Sequence, residues 1–133
     1  MLAGAVVVPP QYRQVALWNV DDYDYPEMVP GVAVVATDTA VVAATRADWA
    51  DDGPQNVTVS VWLGGTPTPD PSLRRRFAGV IRVGSNGVRA GNIMSGNVCE
   101  IDIPEGAYRV EVWANSVIGG PSLIDFRFPE IRR

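Results

Sequence analysis

Apolar residues recur at every second position in several segments of this chain, and this pattern constrains the fold more than any other feature. Alternation of period two places successive side chains on opposite faces of an extended strand, so one face is buried while the other contacts water. The clearest examples are residues 57–63, 77–83, 99–103, 108–114 and 124–128. The period of 3.6 residues that indicates an amphipathic helix is not evident, so we expect a chain built mainly from β-strands.

Turn-forming residues separate these segments. Gly, Pro, Asn and Asp are concentrated at residues 51–54, 64–67, 85–87, 104–106 and 119–121, and each of these residue types favours a chain reversal. The Ser85-Asn86-Gly87 tripeptide is typical of a tight hairpin.

Four further strands are expected at residues 5–8, 12–20, 32–36 and 40–45, whereas residues 47–50 could form one helical turn at most. Nine or ten short strands in a chain of this length predict an all-β fold: one antiparallel β-sandwich or jelly-roll-like domain spanning residues 1–133. Six residues share the apolar parity of three consecutive strands and should be buried in its core: Ile101, Ile103, Val110, Val112, Phe126 and Phe128.

The composition argues against an enzyme. The chain has no histidine and a single cysteine, Cys99, so Ser-His-Asp catalysis, Cys-His catalysis and zinc sites built on these ligands are excluded. Cys99 alternates with Ile101 and Ile103 and should be buried and inert. We therefore expect no catalytic residues, no metal and no cofactor. Glu100, Asp102 and Glu111 could share one sheet face as a glycosidase-type carboxylate set, or they could be cross-strand partners of Arg109 and Arg127, and we favour the second interpretation.

Charge and cysteine content also bear on partners and location. The formal net charge is −4, which disfavours binding to a nucleic-acid backbone and suits a partner with a basic surface. No segment reaches the roughly 18 consecutive apolar residues of a membrane-spanning helix, so no membrane partner is expected. One cysteine excludes an internal disulfide and favours a cytoplasmic location. All basic residues are arginine, which together with many Ala, Val, Gly and Pro suggests an actinobacterial source.

One acidic segment with interleaved tyrosines stands out as a candidate binding site. Three interpretations fit it: a solvated loop, a calcium site made of carboxylate oxygens, or a contact surface for a basic protein in which the tyrosines are rigid anchors. The residues of the predicted partner-binding site are Asp21, Asp22, Tyr23, Asp24, Tyr25 and Glu27.

Trp62 and Trp113 lie at polar-parity positions of their strands, so both should point away from the main core. They could bind a carbohydrate or another small ligand, or they could be covered by a loop. The basic run Arg74-Arg75-Arg76 could bind phosphate or an acidic partner, or could be a solvated strand entry.

Residues 101–110 (IDIPEGAYRV) resemble the I-x-V-P-x-G-x-Y-R-V stretch of small bacterial β-proteins of the competence protein J type. Residues 124–129 resemble the closing strand of those proteins, and residues 11–15, followed by the acidic stretch, resemble their opening strand. Trp113 and residues 48–54 have no counterpart that can be placed. The resemblance implies a non-catalytic inhibitor of a DNA-entry nuclease.

The sequence therefore predicts a protein-binding module, such as an inhibitor of a nuclease or toxin with an immunity-like role. Its partner would be a basic protein, because clustered carboxylates fit a groove built to hold phosphates. The alternative is a β-sandwich that binds a carbohydrate or another small ligand through Trp62 and Trp113, with a possible calcium dependence. The sequence leaves the oligomeric state open.

Overall fold

In a computed structural model, residues 1–9, 13–45, 56–65, 70–116 and 120–131 are described. The possible helical turn at residues 47–50 and the predicted turn at 51–54 lie outside this part of the chain. Within it the regular elements are β-strands: β1 (Leu2–Val8), β2 (Gln14–Asn19), β3 (Val34–Ala36), β4 (Ala40–Ala44), β5 (Val57–Leu63), β6 (Arg74–Val83), β7 (Val88–Asn92), β8 (Asn97–Ile101), β9 (Gly106–Ala114) and β10 (Leu123–Phe128). No helix in these ranges is long and apolar enough to cross a membrane.

The strands form two five-stranded sheets, which confirms the predicted β-sandwich. One sheet, called here the β10 sheet after its central strand, has the order β1-β5-β10-β9-β6. The other, the β2 sheet, has the order β3-β4-β2-β7-β8. All pairs are antiparallel except β5 and β10, which run parallel in a register that joins Leu123 to Thr58 and Phe128 to Leu63.

The core lies between the two sheets and contains the apolar side chains that the alternating pattern predicts to be buried. All six residues predicted to be buried are buried, at 3% exposure or less. Phe126 and Phe128 are the largest side chains of this interior, and the Phe128 ring meets Tyr108 edge to face. The predicted register of the last three strands is therefore correct. Cys99 is half-buried against this core.

The expectation that each strand has one wet face is wrong for β10. Asp125 and Arg127 point away from the core, yet only 8% and 7% of their surfaces are exposed. The cause is position: β10 is the central strand of its sheet, so outward side chains of both neighbouring strands flank its outer face, and the Arg127 guanidinium packs on the Trp113 ring. The two charges compensate one another through a hydrogen bond of 3.0 Å from Arg127 Nη2 to Asp125 Oδ2. Burial raises the pKa of Asp125, and the bond from Arg127 opposes that shift.

The β2 sheet also has a second, smaller apolar cluster on its outer face. Its buried members are Ala16, Trp18, Ala40 and Val42, and Tyr25 and Met28 pack against it. The segment that follows β2 therefore turns back across its own sheet, which explains why β2 is buried on both faces.

Candidate functional site

Four connections meet at one end of the sandwich, because the antiparallel pairing brings distant segments of sequence together there. They are the start of the β2–β3 segment, the β3–β4 turn, the β6–β7 turn and the β8–β9 turn. Backbone hydrogen bonds join them: Asn19 N donates to Thr39 O at 2.9 Å, and Val20 N donates to Gly87 O at 3.1 Å.

Carboxylates from three of these connections crowd this end, which we call the acidic end. Asp22, Asp24 and Asp38 line one shallow depression with Arg82, and Asp22, Arg82 and Glu105 line an adjoining one. Among the described residues that line these depressions, Arg82 is the only basic one. The acidic end comprises Asp21, Asp22, Asp24, Asp38 and Glu105, all exposed.

Asp21 holds the β6–β7 turn. The prediction of a tight hairpin at Ser85-Asn86-Gly87 is wrong, because β6 belongs to the β10 sheet and β7 to the β2 sheet, so this turn crosses between the sheets and does not join paired strands. Its carboxylate accepts hydrogen bonds from the Asn86 side-chain amide, from Asn86 N at 3.2 Å and from Ser85 Oγ at 3.4 Å. These bonds favour the ionised form and lower the pKa of Asp21. The same carboxylate lies so close to Gly84 that a Cβ there would collide with it. Asp21 is therefore held in place and kept charged.

The backbone of the next residues is also held. Asn19 Nδ2 donates to Asp22 O at 2.8 Å. Asp24 N donates to Thr39 Oγ1 at 2.8 Å, and Thr37 Oγ1 donates to Asp24 O at 2.5 Å. These bonds leave the carboxylates of Asp22 and Asp24 in solvent on an anchored chain. Such a surface loses little conformational freedom when it binds.

The two tyrosines of the segment differ in their surroundings. Tyr23 is 40% exposed, and its ring lies 6.2 Å from that of Trp18, so one face is supported and the rest is available for contact. Tyr25 is half-buried in the outer cluster of the β2 sheet, and its hydroxyl accepts a hydrogen bond of 3.0 Å from Gln14 Nε2. Burial raises the pKa of Tyr25. Tyr23 is thus the aromatic residue offered at the surface.

Glu27 lies away from the other carboxylates of the segment. Its neighbour Met28 lines a depression with Arg13 and Gln14, at the start of β2 rather than its end. The structure therefore brings together Asp21, Asp22, Tyr23 and Asp24, and it places Tyr25 and Glu27 elsewhere along the sheet.

The calcium interpretation has no geometric support in the described ranges. Calcium needs six to eight oxygen ligands around one point. Among the described residues, no group of three or more Asp, Glu, Cys or His side chains could hold a metal ion. The carboxylates of the acidic end are spread over a surface rather than gathered round a centre.

Trp62 and Trp113 point away from the core, as the parity predicts, onto the outer face of the β10 sheet. Both are half-buried. The guanidinium of Arg127 lies 4.3 Å from the centre of the Trp113 ring, and Trp113 Nε1 donates to Glu111 Oε1 at 3.0 Å. The Trp62 indole nitrogen is buried on this face, beside the Asp125 carboxylate. One face of Trp113 is therefore already covered, and the polar atom of Trp62 is not accessible to a ligand.

The carboxylates Glu100 and Glu111 lie on different sheets and pair with arginines. Arg89 Nη2 lies 2.8 Å from Glu100 Oε1, and Arg109 Nη2 lies 3.0 Å from Glu111 Oε2. Burial raises the pKa of the Cys99 thiol, which lowers its reactivity.

Asp38 and Glu105 belong to the acidic end, although neither is among the predicted site residues. Asp38 stands alone in the β3–β4 turn, and Glu105 lies in the β8–β9 turn, far in sequence from the acidic segment at residues 21–27. The available signal was topological: β4 pairs with β2, and β9 pairs with β6, so the turns that begin these strands lie beside the segment at Asp21.

No protein-family model and no curated protein matches the chain. In structure the chain is similar to ComJ from Bacillus subtilis, described as the inhibitor of the DNA degrading activity of NucA. The TM-score is 0.65, the sequence identity is 16%, and the match covers 96% of this chain and 98% of that chain. The likeness establishes a common fold and confirms at that level the resemblance drawn from residues 101–110 and 124–129.

Proposed function

We propose that this chain is a non-catalytic protein-binding module that inhibits a nuclease or nuclease-type toxin. In this account its acidic end enters the basic groove with which the enzyme holds DNA. The observation that carries the proposal is the convergence of five exposed carboxylates, from three separate connections, on one end of a fold shared with a nuclease inhibitor.

The charge pattern supports a nuclease partner in particular. An enzyme that acts on DNA holds the phosphate backbone with clustered Arg and Lys. Asp21, Asp22, Asp24, Asp38 and Glu105 present the opposite sign with a single arginine, Arg82, among them. Complementary charge speeds association and excludes wrong partners.

Tyr23 supplies apolar contact area, which the carboxylates do not. Its exposed ring, supported by Trp18, could fill an apolar recess beside the groove, and aromatic residues of this kind carry much of the binding energy at protein interfaces. Tyr23→Ala should therefore raise the dissociation rate of the complex more than it changes the association rate.

The experiment is a capture followed by an activity assay. The immobilised chain is exposed to a lysate of the source organism, bound protein is eluted with high salt, and the eluate is tested for cleavage of linear DNA after desalting. We expect DNA-degrading activity in the eluate, and we expect added chain to suppress it in a ratio close to one to one. The matched control is the Asp22→Asn, Asp24→Asn chain, which should capture and suppress less.

An eluate without DNA-degrading activity, or activity that the added chain does not reduce, would contradict the proposal. DNA cleavage or ligand turnover by the chain itself would contradict its non-catalytic part. We place this function in the cytoplasm, because a fold with one cysteine uses no internal disulfide. The carbohydrate-binding alternative gains no support from the covered ring of Trp113 or the buried nitrogen of Trp62.

A further inference from the structure

Strand β6, which is ten residues long, is an edge strand of the β10 sheet. Its side away from β9 is unpaired in the described structure. It pairs with β9 over most of its length, and no second strand follows it in the sheet order. Arg82 N donates outward, away from β9, to Asp38 O at 2.7 Å. Backbone groups alternate in direction along a strand, so the N–H and C=O groups of Ala78 and Val80 point to the same open side.

The side chains on this stretch are apolar and exposed. Val80 is 63% exposed, among the most exposed large apolar side chains of the described chain, and Ala78 is exposed as well. The Phe77 ring lies over Gly79, where a Cβ would meet it at 2.7 Å. An open edge with apolar side chains is a template for another strand.

An apolar groove opens beside the first part of β6. Its lining includes Val34 from β3, Ala43 from β4, and Val112 and Ile124 from the core side of the β10 sheet, with Arg76 at its rim. β3, the edge of the other sheet, is only three residues long and so cannot span the length of β6. The gap between β3 and β6 is closed by the Asp38–Arg82 bond at one end and opens towards Arg76 at the other.

The charges at the open end are basic. Arg74 and Arg76 are exposed, and within the described structure neither forms an ion pair; Arg74 donates instead to Pro71 O at 2.7 Å and Leu73 O at 3.0 Å. A second copy of β6 laid antiparallel on this edge, with Ala78 opposite Val80, would set Arg76 opposite Arg82 of the other copy. Opposed like charges destabilise strand pairing, so the edge suits an acidic strand rather than a second copy.

We propose that the open edge of β6 and the groove beside it bind an extended acidic segment of a protein partner as an added strand. Main-chain hydrogen bonds to Ala78 and Val80 would supply affinity, as in other cases of strand addition. Apolar side chains of the segment would enter the groove, and its carboxylates would meet Arg74 and Arg76. This surface is separate from the acidic end, so either can fail without the other.

The probe is a pool of synthetic ten-residue peptides with Val, Ile, Leu or Phe at every second position and Glu between them. We expect binding by titration calorimetry, and slower amide hydrogen exchange at Ala78 and Val80 by NMR. Arg76→Gln should weaken binding about threefold, the usual size of an exposed ion pair. Arg89→Gln, which removes an arginine from the other sheet, should leave it unchanged.

Val80→Pro removes the outward N–H without removing a bond to β9 and should weaken binding about fivefold or more. Val80→Ala keeps that N–H. In this variant the bound peptide should therefore still slow hydrogen exchange of the amides at positions 78 and 80, whether or not the proline variant folds. The proposal is overturned by an absence of binding, by binding without protection of Ala78 and Val80, or by equal binding of a pool with Lys in place of Glu. A dimer of the free chain in sedimentation, with those amides already protected, would also overturn it by assigning the edge to a second copy.

Discussion

Single residues of the central strand β10 carry a large share of the stability of the fold. Phe126 and Phe128 are fully buried on the core side, while Asp125 and Arg127 form a buried pair on the other. Deleting a buried aromatic ring removes its transfer free energy and leaves a cavity that the neighbours only partly fill.

Phe126→Ala should lower the free energy of unfolding by about 3–5 kcal/mol, a large part of the stability of a typical domain. The measurement is urea denaturation followed by tryptophan fluorescence. Val80→Ala, which truncates an exposed side chain, is the control and should change stability by less than about 0.5 kcal/mol. A loss below about 1 kcal/mol for Phe126→Ala would mean that this position does not anchor the core.

Asp21 links the acidic end to the fold through its bonds to Asn86. Its pKa lies below the ordinary value of 3.8 because Asn86 and Ser85 bind the carboxylate. A group whose pKa is depressed by folding contributes stability above its unfolded pKa, and that stability is lost as the pH falls through the folded value. Asp21 should therefore help to hold the β6–β7 turn at neutral pH and release it in acid.

Asn86→Ala should raise the pKa of Asp21 towards 3.8, because it removes the side-chain hydrogen bond that is the largest cause of the shift. Carbon-detected NMR titration of the carboxyl resonances would measure it. Asp70, whose pKa is lowered by Ser72, is the internal control and should not move. An unchanged pKa of Asp21 would show that the side chain of Asn86 does not bind this carboxylate in solution.

At the scale of elements, the β6–β7 turn, which crosses from one sheet to the other, positions one side of the acidic end. Gly87 has a φ of +75°, which L side chains rarely adopt, and a Cβ there would collide with the carbonyl oxygen of Ile101. The β6–β7 turn therefore packs against the end of β8 only because this residue is glycine.

Gly87→Ala should destabilise the protein by about 2–3 kcal/mol, from the backbone conformation and the collision together. Gly96 has the same φ and no atom within 4 Å of the position of a Cβ. Gly96→Ala should thus cost only about 1 kcal/mol. Thermal unfolding of both variants gives the comparison, and equal losses would refute the packing role of Gly87.

The strands could be predicted because their signal is local. Residues 57–63 coincide with β5, and the predicted segment at 108–114 lies within β9. The burial of Asp125 and Arg127 could not be predicted in this way, because it depends on β10 being central. That order follows from a parallel pairing between β5 and β10, whose partners are distant in sequence.

The candidate site shows the same division. Asp21, Asp22, Tyr23 and Asp24 form a dense local pattern and were identified from sequence. Glu27 belongs to that pattern, but its neighbour Met28 lines a depression at the start of β2, away from the acidic end. Asp38 and Glu105 join the acidic end only through strand pairing, which the local composition of the sequence does not reveal.

At the scale of the whole molecule, opposite charges lie at separate places. The acidic end collects carboxylates around Arg82, while Arg74 and Arg76 are exposed at the other end of β6, beside the groove. Charged surfaces set apart in this way act on association rates over roughly a Debye length, about 8–10 Å in physiological salt. The acidic end should therefore speed association with a basic partner, and added salt should reduce that effect.

The most direct test of the nuclease-inhibitor account is the salt dependence of association with the captured DNA-degrading protein. Stopped-flow or surface-based kinetics would compare the wild type, the Asp22→Asn, Asp24→Asn variant and a control variant with Glu27→Gln and Asp70→Asn. The account predicts that the first variant associates about tenfold more slowly at low salt and approaches wild type at high salt, whereas the control stays close to wild type throughout. Equal association rates for all three proteins at low salt would contradict the assignment of the acidic end as the contact surface.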